Sequence, residues 1–312
     1  MPDRRADQDG AASRGAWWFG VLLLALLLAS LASFFVAARV WWLPVRASEQ
    51  APMVDGILDA LFVIGLVFFV AAQVFLAVPL MRRRAAAGPF VPPPLTRMPG
   101  IGAIIAVLVL VIADATVLAL SERDWFRMFS PPPADALRIE VVGRQFMWQF
   151  RYPGPDGRFG RTNLRFVTSG NPFGMDPDGP ANAQNVVTVN EMHVVVGRPV
   201  VLQITALDVI HSFNLPNFRL KQDAVPGRPV TVWTTPDRAG TYEITCAQLC
   251  GVGHYTMRGI VVVQSPGAFA AWMASQRAAI PPAGKPGAIA SGLRAAAPAR
   301  HEASAGAASA AK

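Results

Sequence analysis

A membrane-anchored all-β protein, with three transmembrane helices followed by a β-sandwich or barrel, is the fold class predicted by this 312-residue sequence. Three nearly uncharged apolar runs are long enough to cross a bilayer, and after residue 138 the texture changes to short, β-branched, roughly alternating runs separated by Gly, Pro and Asp. Composition agrees: 53% hydrophobic and 15% charged residues, at a mean hydropathy of +0.36, is too apolar for an ordinary soluble domain and too apolar for disorder.

A hydrocarbon core about 30 Å thick needs about 20 helical residues. Residues 17–40, 56–80 and 100–120 meet that need. Residues 1–16, with Arg4, Arg5 and Arg14, are read as a cytoplasmic N-terminal segment. The first run far exceeds the ~7–15 residues of a signal-peptide core, so a retained helix is expected, with cleavage as the alternative. Residues 81–99 carry Arg82, Arg83, Arg84 and Arg97 with no acid, and Pro92-Pro93-Pro94 opposes helix, so this loop is placed in the cytoplasm. Everything after Leu120 then lies outside, with Trp17, Trp18, Trp41 and Trp42 as interfacial anchors. Asp59 and Asp114 fall in the second and third runs, where an acid costs a few kcal/mol unless protonated, paired or facing protein. They read either as a proton relay or partner-subunit contact, or as acids that are protonated or snorkel near a helix end.

Residues 125–280 form the exterior domain. Strands are expected at Ile139–Val142, Gln145–Tyr152, Val186–Val189, His193–Val196, Val200–Ile204, Val230–Thr234, Thr241–Thr245 and Gly259–Val263. Asn171 to Asn185 reads as an inserted surface loop, Pro266–Gln276 as an amphipathic helix, and residues 281–312 as a disordered Ala/Pro-rich tail. Arg158, Arg161 and Arg165 read as a solvated strand face, His193 as an ordinary strand histidine, and His301 belongs to the tail. The net charge of +8 is scattered or flanks apolar runs, so nucleic acid is not a partner. The only cysteines, Cys246 and Cys250, rule out a disulfide-rich scaffold, a four-cysteine zinc site and a Cys-x-x-Cys-His haem attachment.

The chemistry lies in Cys246-Ala-Gln248-Leu-Cys250-Gly-Val-Gly-His254-Tyr-Thr-Met257. Two thiolates, an imidazole and a thioether in one short run select copper over hard cations. Gly251 and Gly253 let the chain turn so that all four converge. His211, in Asp208-Val-Ile-His211-Ser-Phe, can close the site from another strand. A single blue-copper ion uses one Cys, two His and an axial Met, which leaves a cysteine over. Two bridging thiolates fit two coppers, each finished by one histidine and one weak ligand, Met257 on one and a backbone carbonyl on the other. A disulfide between Cys246 and Cys250 is the competing reading for an exterior domain.

The Cys246–Met257 run, the Asp208–Phe213 run and Lys221-Gln-Asp223-Ala-Val-Pro-Gly227 together resemble subunit II of the haem–copper cytochrome c oxidases, across most of residues 55–275. The resemblance implies a cupredoxin-like Greek-key fold holding the binuclear CuA centre. Cys246 and Cys250 would bridge, His211 and His254 would be terminal, and Met257 and the carbonyl of Gln248 would be weak ligands. The bias of Arg over Lys, 25 to 3, and the Ala richness point to a bacterial source, and with the sidedness set by the Arg-rich loop a multi-pass protein of the bacterial inner membrane is expected, its copper domain on the periplasmic side. Electrons would be taken from cytochrome c or another external one-electron donor and passed to haem in subunit I, which reduces dioxygen to water and pumps protons, with subunit III a further partner. The chain alone would have no oxidase activity.

Departures from the family pattern matter here. In Gly143-Arg-Gln145-Phe146-Met-Trp148-Gln-Phe-Arg151-Tyr152, the usual electron-accepting tryptophan aligns with Phe146, while Trp148 matches the second; aromatic core packing explains either ring equally. Gln248 stands where many members place a magnesium-binding Glu, so the implied magnesium site at the subunit boundary, bordered by Asp223, is weakened. Leu95–Gly100 lacks the acid that marks a proton entrance in several members. Residues 135–275 hold 12 basic and 10 acidic side chains, which points away from the usual strongly basic cytochrome c. A CuA-bearing subunit of a nitric oxide reductase, or a copper-free assembly subunit, are the alternatives; the latter is at odds with the complete ligand set.

Overall fold

A computed structural model describes residues 4–82 and 100–280. The expected disordered tail, 281–312, and residues 83–99 of the expected cytoplasmic loop lie outside the described residues. Among the described residues, three helices are long and apolar enough to cross a membrane: α1 (Arg4–Trp41), α2 (Ala51–Arg82) and α3 (Gly100–Met128).

Each helix outruns its hydropathy-based bounds because backbone hydrogen bonding does not require apolar side chains. α2 starts at Ala51, whose N–H donates to Ser48 Oγ at 3.2 Å, and Pro52 sits in the first turn where its missing N–H costs nothing. α3 carries on through Ser121-Glu-Arg-Asp to Met128. α1 and α2 pair closely. Phe34 stacks on Phe62 at 4.5 Å, and a Cβ on Gly20 would stand 3.0 Å from the carbonyl of Ala77. Asp59 is partnered by the indole N–H of Trp42 at 3.2 Å. Asp114 is exposed on α3.

The remaining residues build a sandwich of two five-stranded sheets. The first has the order β3-β2-β1-β5-β8, made of Val186–Val189, Met147–Tyr152, Leu137–Arg144, Val200–Ala206 and Val230–Thr234. The second has the order β4-β10-β9-β6-β7, made of Glu191–Val195, Arg258–Gln264, Gly240–Cys246, His211–Leu215 and Leu220–Ala224. β1 and β5 run parallel, as do β10 and β4, and the other pairs are antiparallel. Inward-facing Ile139, Val141, Trp148, Phe150, Leu202, Ile204, Phe213, Ile244 and Val261 form a continuous core between the sheets. α4 (Pro266–Ala278), capped by Ser265 Oγ, adds Phe269 and Met273 to it.

β6 and β7 are strands that the patterning missed. β6 is buried at four of five positions yet reads His-Ser-Phe-Asn-Leu, and β7 is a polar edge strand, so neither shows clean alternation. The segment between β2 and β3 also differs from expectation. It is a packed lobe, with Phe173 and Met175 buried against Val142. Its backbone is held by Asn side chains: Asn171 donates to Met175 O and Asn182 donates to both Arg161 O and Asp176 O. Arg158, Arg161 and Arg165 belong to this lobe and to no strand, and Arg161 pairs with Asp176 at 3.1 Å. Beneath the lobe, the fully buried Arg151 guanidinium donates to Glu140 (2.8 Å), Asn182 (2.8 Å), Asn185 (3.1 Å) and Gly160 O (3.1 Å).

His193 lies on β4, far from the cysteines. Its ring stacks on Trp272 at 3.9 Å and its Nε2 meets Glu191 at 2.7 Å; burial pushes its pKa down.

Residues 45–52, which connect α1 to α2, pack as part of the β-domain. Ala47 N–H donates to Asn217 O, Glu49 N–H donates to Thr235 O, and Ser48 Oγ donates to Phe218 O, with Ala47 and Ser48 fully buried.

Candidate metal centre

The second sheet brings the expected ligands to one end of the sandwich. β6 and β9 pair with Phe213 opposite Cys246, so His211, two residues nearer the start of β6, sits beside the loop that leaves β9. Cys246 N–H donates to Met257 O at 3.2 Å, closing the loop at its base, and Ala247 N–H ties it to Ser212 O. Within the loop, a 3-10 turn at His254–Thr256 directs His254 back toward Cys250.

All six residues singled out in the sequence meet. Cys246 Sγ lies 3.9 Å from Cys250 Sγ, 3.9 Å from His211 Nδ1 and 3.2 Å from the carbonyl of Gln248. Cys250 Sγ lies 3.6 Å from His254 Nδ1 and 3.9 Å from Met257 Sδ. Both cysteines are free thiols, and burial followed by the neighbouring Cys246 pushes the Cys250 thiol up to about 11. His211, Cys250 and Met257 are buried, and Cys246 and His254 half-buried. Among the described residues, the one cluster of three or more His, Cys, Asp or Glu ligands is His211, Cys246 and Cys250. The side chains of Gln248 and Asp223 are exposed.

Two residues that hold this arrangement appeared in the sequence only as parts of motifs. Asp208 accepts from three directions: His211 Nε2 at 2.9 Å, Gln145 N–H at 2.8 Å and Val209 N–H at 2.8 Å. Burial pushes its carboxyl upward, but these donors outweigh burial and the net shift is down. The carboxylate fixes the tautomer and orientation of His211, leaving Nδ1 aimed at Cys246. Gln145 also donates through Nε2 to the carbonyl of Cys250 at 2.6 Å, so one residue ties Asp208 to the loop. The signals were an acid three residues before a ligand histidine and a polar residue at the β1–β2 turn.

The two aromatic candidates separate clearly. Trp148 is fully buried, edge-on to His211 at 5.9 Å and to Phe213 at 5.1 Å. Gly143 makes room for this pair, since a Cβ there would lie 2.9 Å from the Trp148 ring and 3.1 Å from His211. Phe146 is half-buried under the loop itself. A Cβ on Gly253 would stand 2.5 Å from its ring, and Gly251 adopts φ +134°, a region that favours glycine. Gly253→Ala should therefore displace Phe146 or lift the loop, at a cost of about 1–3 kcal/mol in chemical denaturation, together with reduced metal loading. Around the loop, Leu249, Val252 and Tyr255 are 77%, 94% and 80% exposed, an apolar rim with Val209 and Ile210 beside it.

Residues 137–265 match the sequence profile of the cytochrome c oxidase subunit II periplasmic domain. A cytochrome c oxidase subunit 2 of Thermostichus vulcanus is 30% identical over 308 residues, covering 82% of this chain and 85% of that protein. The chain belongs to the cytochrome c oxidase subunit II family. Within this family it is also 39% identical over 167 residues to an alternative cytochrome c oxidase subunit 2 of Bradyrhizobium diazoefficiens, a match spanning 53% of this chain and 60% of that one. The crystal structure of a subunit II periplasmic domain from Bradyrhizobium japonicum is 30% identical, covering 46% of this chain and 96% of that one at a TM-score of 0.35. Subunit II proteins are components of an oxidoreductase complex, and this member has the family's layout of membrane-spanning-capable helices followed by a periplasmic-type β-sandwich.

Proposed function

We propose that this chain is the electron-relay subunit of a terminal oxidase in a bacterial inner membrane, with its β-domain on the periplasmic side. The observation that carries the reading is the donor set. Two thiols, two imidazole Nδ1 atoms, a thioether and a backbone carbonyl lie within 3.2–3.9 Å of their neighbours in one cluster. A tetrahedral zinc ion uses four such donors and leaves two over. The set suits two copper ions, which Cys246, Cys250, His211, His254, Met257 and the carbonyl of Gln248 would hold between them. Bound there, a copper pair supplies one-electron redox chemistry.

The protein's part is rigidity and access. Asp208 holds His211, Gln145 holds the carbonyl of Cys250, and paired strands anchor both ends of the loop, so little rearrangement opposes a change of charge. Phe146 is half-buried beneath Gly251 and Gly253 of the loop, whereas Trp148 is fully buried and edge-on to His211. This supports Phe146 and its surroundings as the face toward an external one-electron donor, cytochrome c or an equivalent. The apolar rim of Leu249, Val252 and Tyr255 supports a covered face against subunit I, whose haem would receive the electron for reduction of dioxygen to water with proton pumping.

The test is copper content and electron paramagnetic resonance of the purified full-length chain. Two coppers per chain with an unpaired electron shared by both nuclei are expected. A single metal, zinc alone, or a Cys246–Cys250 disulfide in the native protein would defeat the reading. Met257→Leu is expected to retain both coppers and shift the reduction potential, because an axial thioether tunes the site more than it holds it.

A further inference from the structure

At the end of β1 remote from the metal cluster, a cavity of about 570 Å³ is lined by Arg138, Arg198 and Arg277. They come from three separate segments: the start of β1, the turn between β4 and β5, and the last turn of α4. Gly143, six residues along β1 from Leu137, packs against His211, so the cavity is about 20 Å from the ligands at ~3.3 Å per residue.

Among the described residues, none of the three guanidinium groups meets a carboxylate. Arg198 uses one of its five N–H donors, Nε to Asp135 O at 3.1 Å. Arg277 uses one, to Pro153 O at 3.3 Å, and its Nε is buried with no partner. Arg138 is exposed and, among the described residues, has neither a hydrogen bond nor an ion pair. Among the described residues, Asp135 is the only acid in the lining. Buried Phe269 and Met273 give the cavity an apolar wall. Three unpaired cations around one concavity focus a positive field, and guanidinium forks match the oxygens of a phosphoryl group. The volume is in the range of small-molecule sites, about 300–1,000 Å³.

We infer that this cavity is a binding site for a phosphate group, held by Arg138, Arg198 and Arg277. Two sources share that chemistry, free phosphate esters and the headgroup of an anionic phospholipid. The site does not involve the metal cluster, so it stands or falls separately from the electron-relay reading.

The experiment is a calorimetric titration of the full-length chain in neutral detergent, without metal, using inorganic phosphate and, separately, short-chain phosphatidylglycerol at matched ionic strength. Saturable binding of one equivalent is expected, weakened about tenfold by Arg138→Gln, the loss of one charge-assisted hydrogen bond. Arg138 has no partner to lose, so this variant should fold as the parent does, which circular dichroism checks. Tighter binding of the lipid identifies a headgroup site, and equal or weaker binding identifies a soluble phosphate site; both support the inference. No saturable binding of either probe, or binding unchanged in both Arg138→Gln and Arg277→Gln, overturns it.

Discussion

Cys246→Ser is expected to abolish binding of the proposed copper pair. Copper should fall from two to at most one per chain, the shared paramagnetic signal should vanish, and oxygen consumption by an oxidase assembled with this subunit should drop to background. Cys246 Sγ is one of the two sulfurs that join the cluster, within 3.9 Å of Cys250 Sγ and His211 Nδ1 and 3.2 Å from the Gln248 carbonyl. Serine preserves the side-chain size but replaces a soft, ionisable sulfur with a hydroxyl that copper does not favour. Metal loading should also cease to protect the fold, since a ligand that binds only the folded state stabilises it. Full copper content with an unaltered spectrum would show that Cys246 is not a bridge.

Arg151→Ala should give the largest loss of stability without touching the metal. The guanidinium is fully buried, and four acceptors converge on it: Glu140, Asn182, Asn185 and the carbonyl of Gly160. Removing it leaves a half-buried carboxylate, two buried amide oxygens and the half-buried carbonyl of Gly160 without this donor, at a cost of about 3–5 kcal/mol. For a domain of this size that corresponds to a fall in Tm of about 6–20 °C. Arg151→Met should rescue little, because volume is restored but the acceptors stay unsatisfied. Copper stoichiometry measured at low temperature should match the parent. If thermal unfolding is unchanged, the lobe between β2 and β3 is not held by this residue.

Much of this molecule could be read from residue order alone, for reasons that differ by region. The membrane helices announce themselves because lipid forces long apolar runs, and the ligand loop because Cys, His and Met are rare and their spacing is narrow. β6 and β7 escaped because a strand that must present His211 and face an exposed edge cannot keep a clean alternation. The lobe at 153–185 escaped because its order comes from Asn171, Asn182 and Asn185 reaching to backbone groups, and in sequence Asn and Gly spell only a turn. Arg151 escaped because it sits in an aromatic strand as one cation among many, and its four partners are scattered over 45 residues of chain. Asp208 was visible as a motif letter, but its triple role depends on Gln145, which is 63 residues away.

The connector at 45–52 bears on how this protein can be handled. Ala47 and Ser48 are completely enclosed by the β-domain, and Gln50 accepts from Thr234 Oγ1 and Thr235 N–H. A soluble fragment cut just after the third helix would lack this strip and would expose the groups it shields. A water-soluble version therefore needs residues 45–52 restored, as a fused or co-supplied peptide, and its melting temperature should report directly whether the strip has docked.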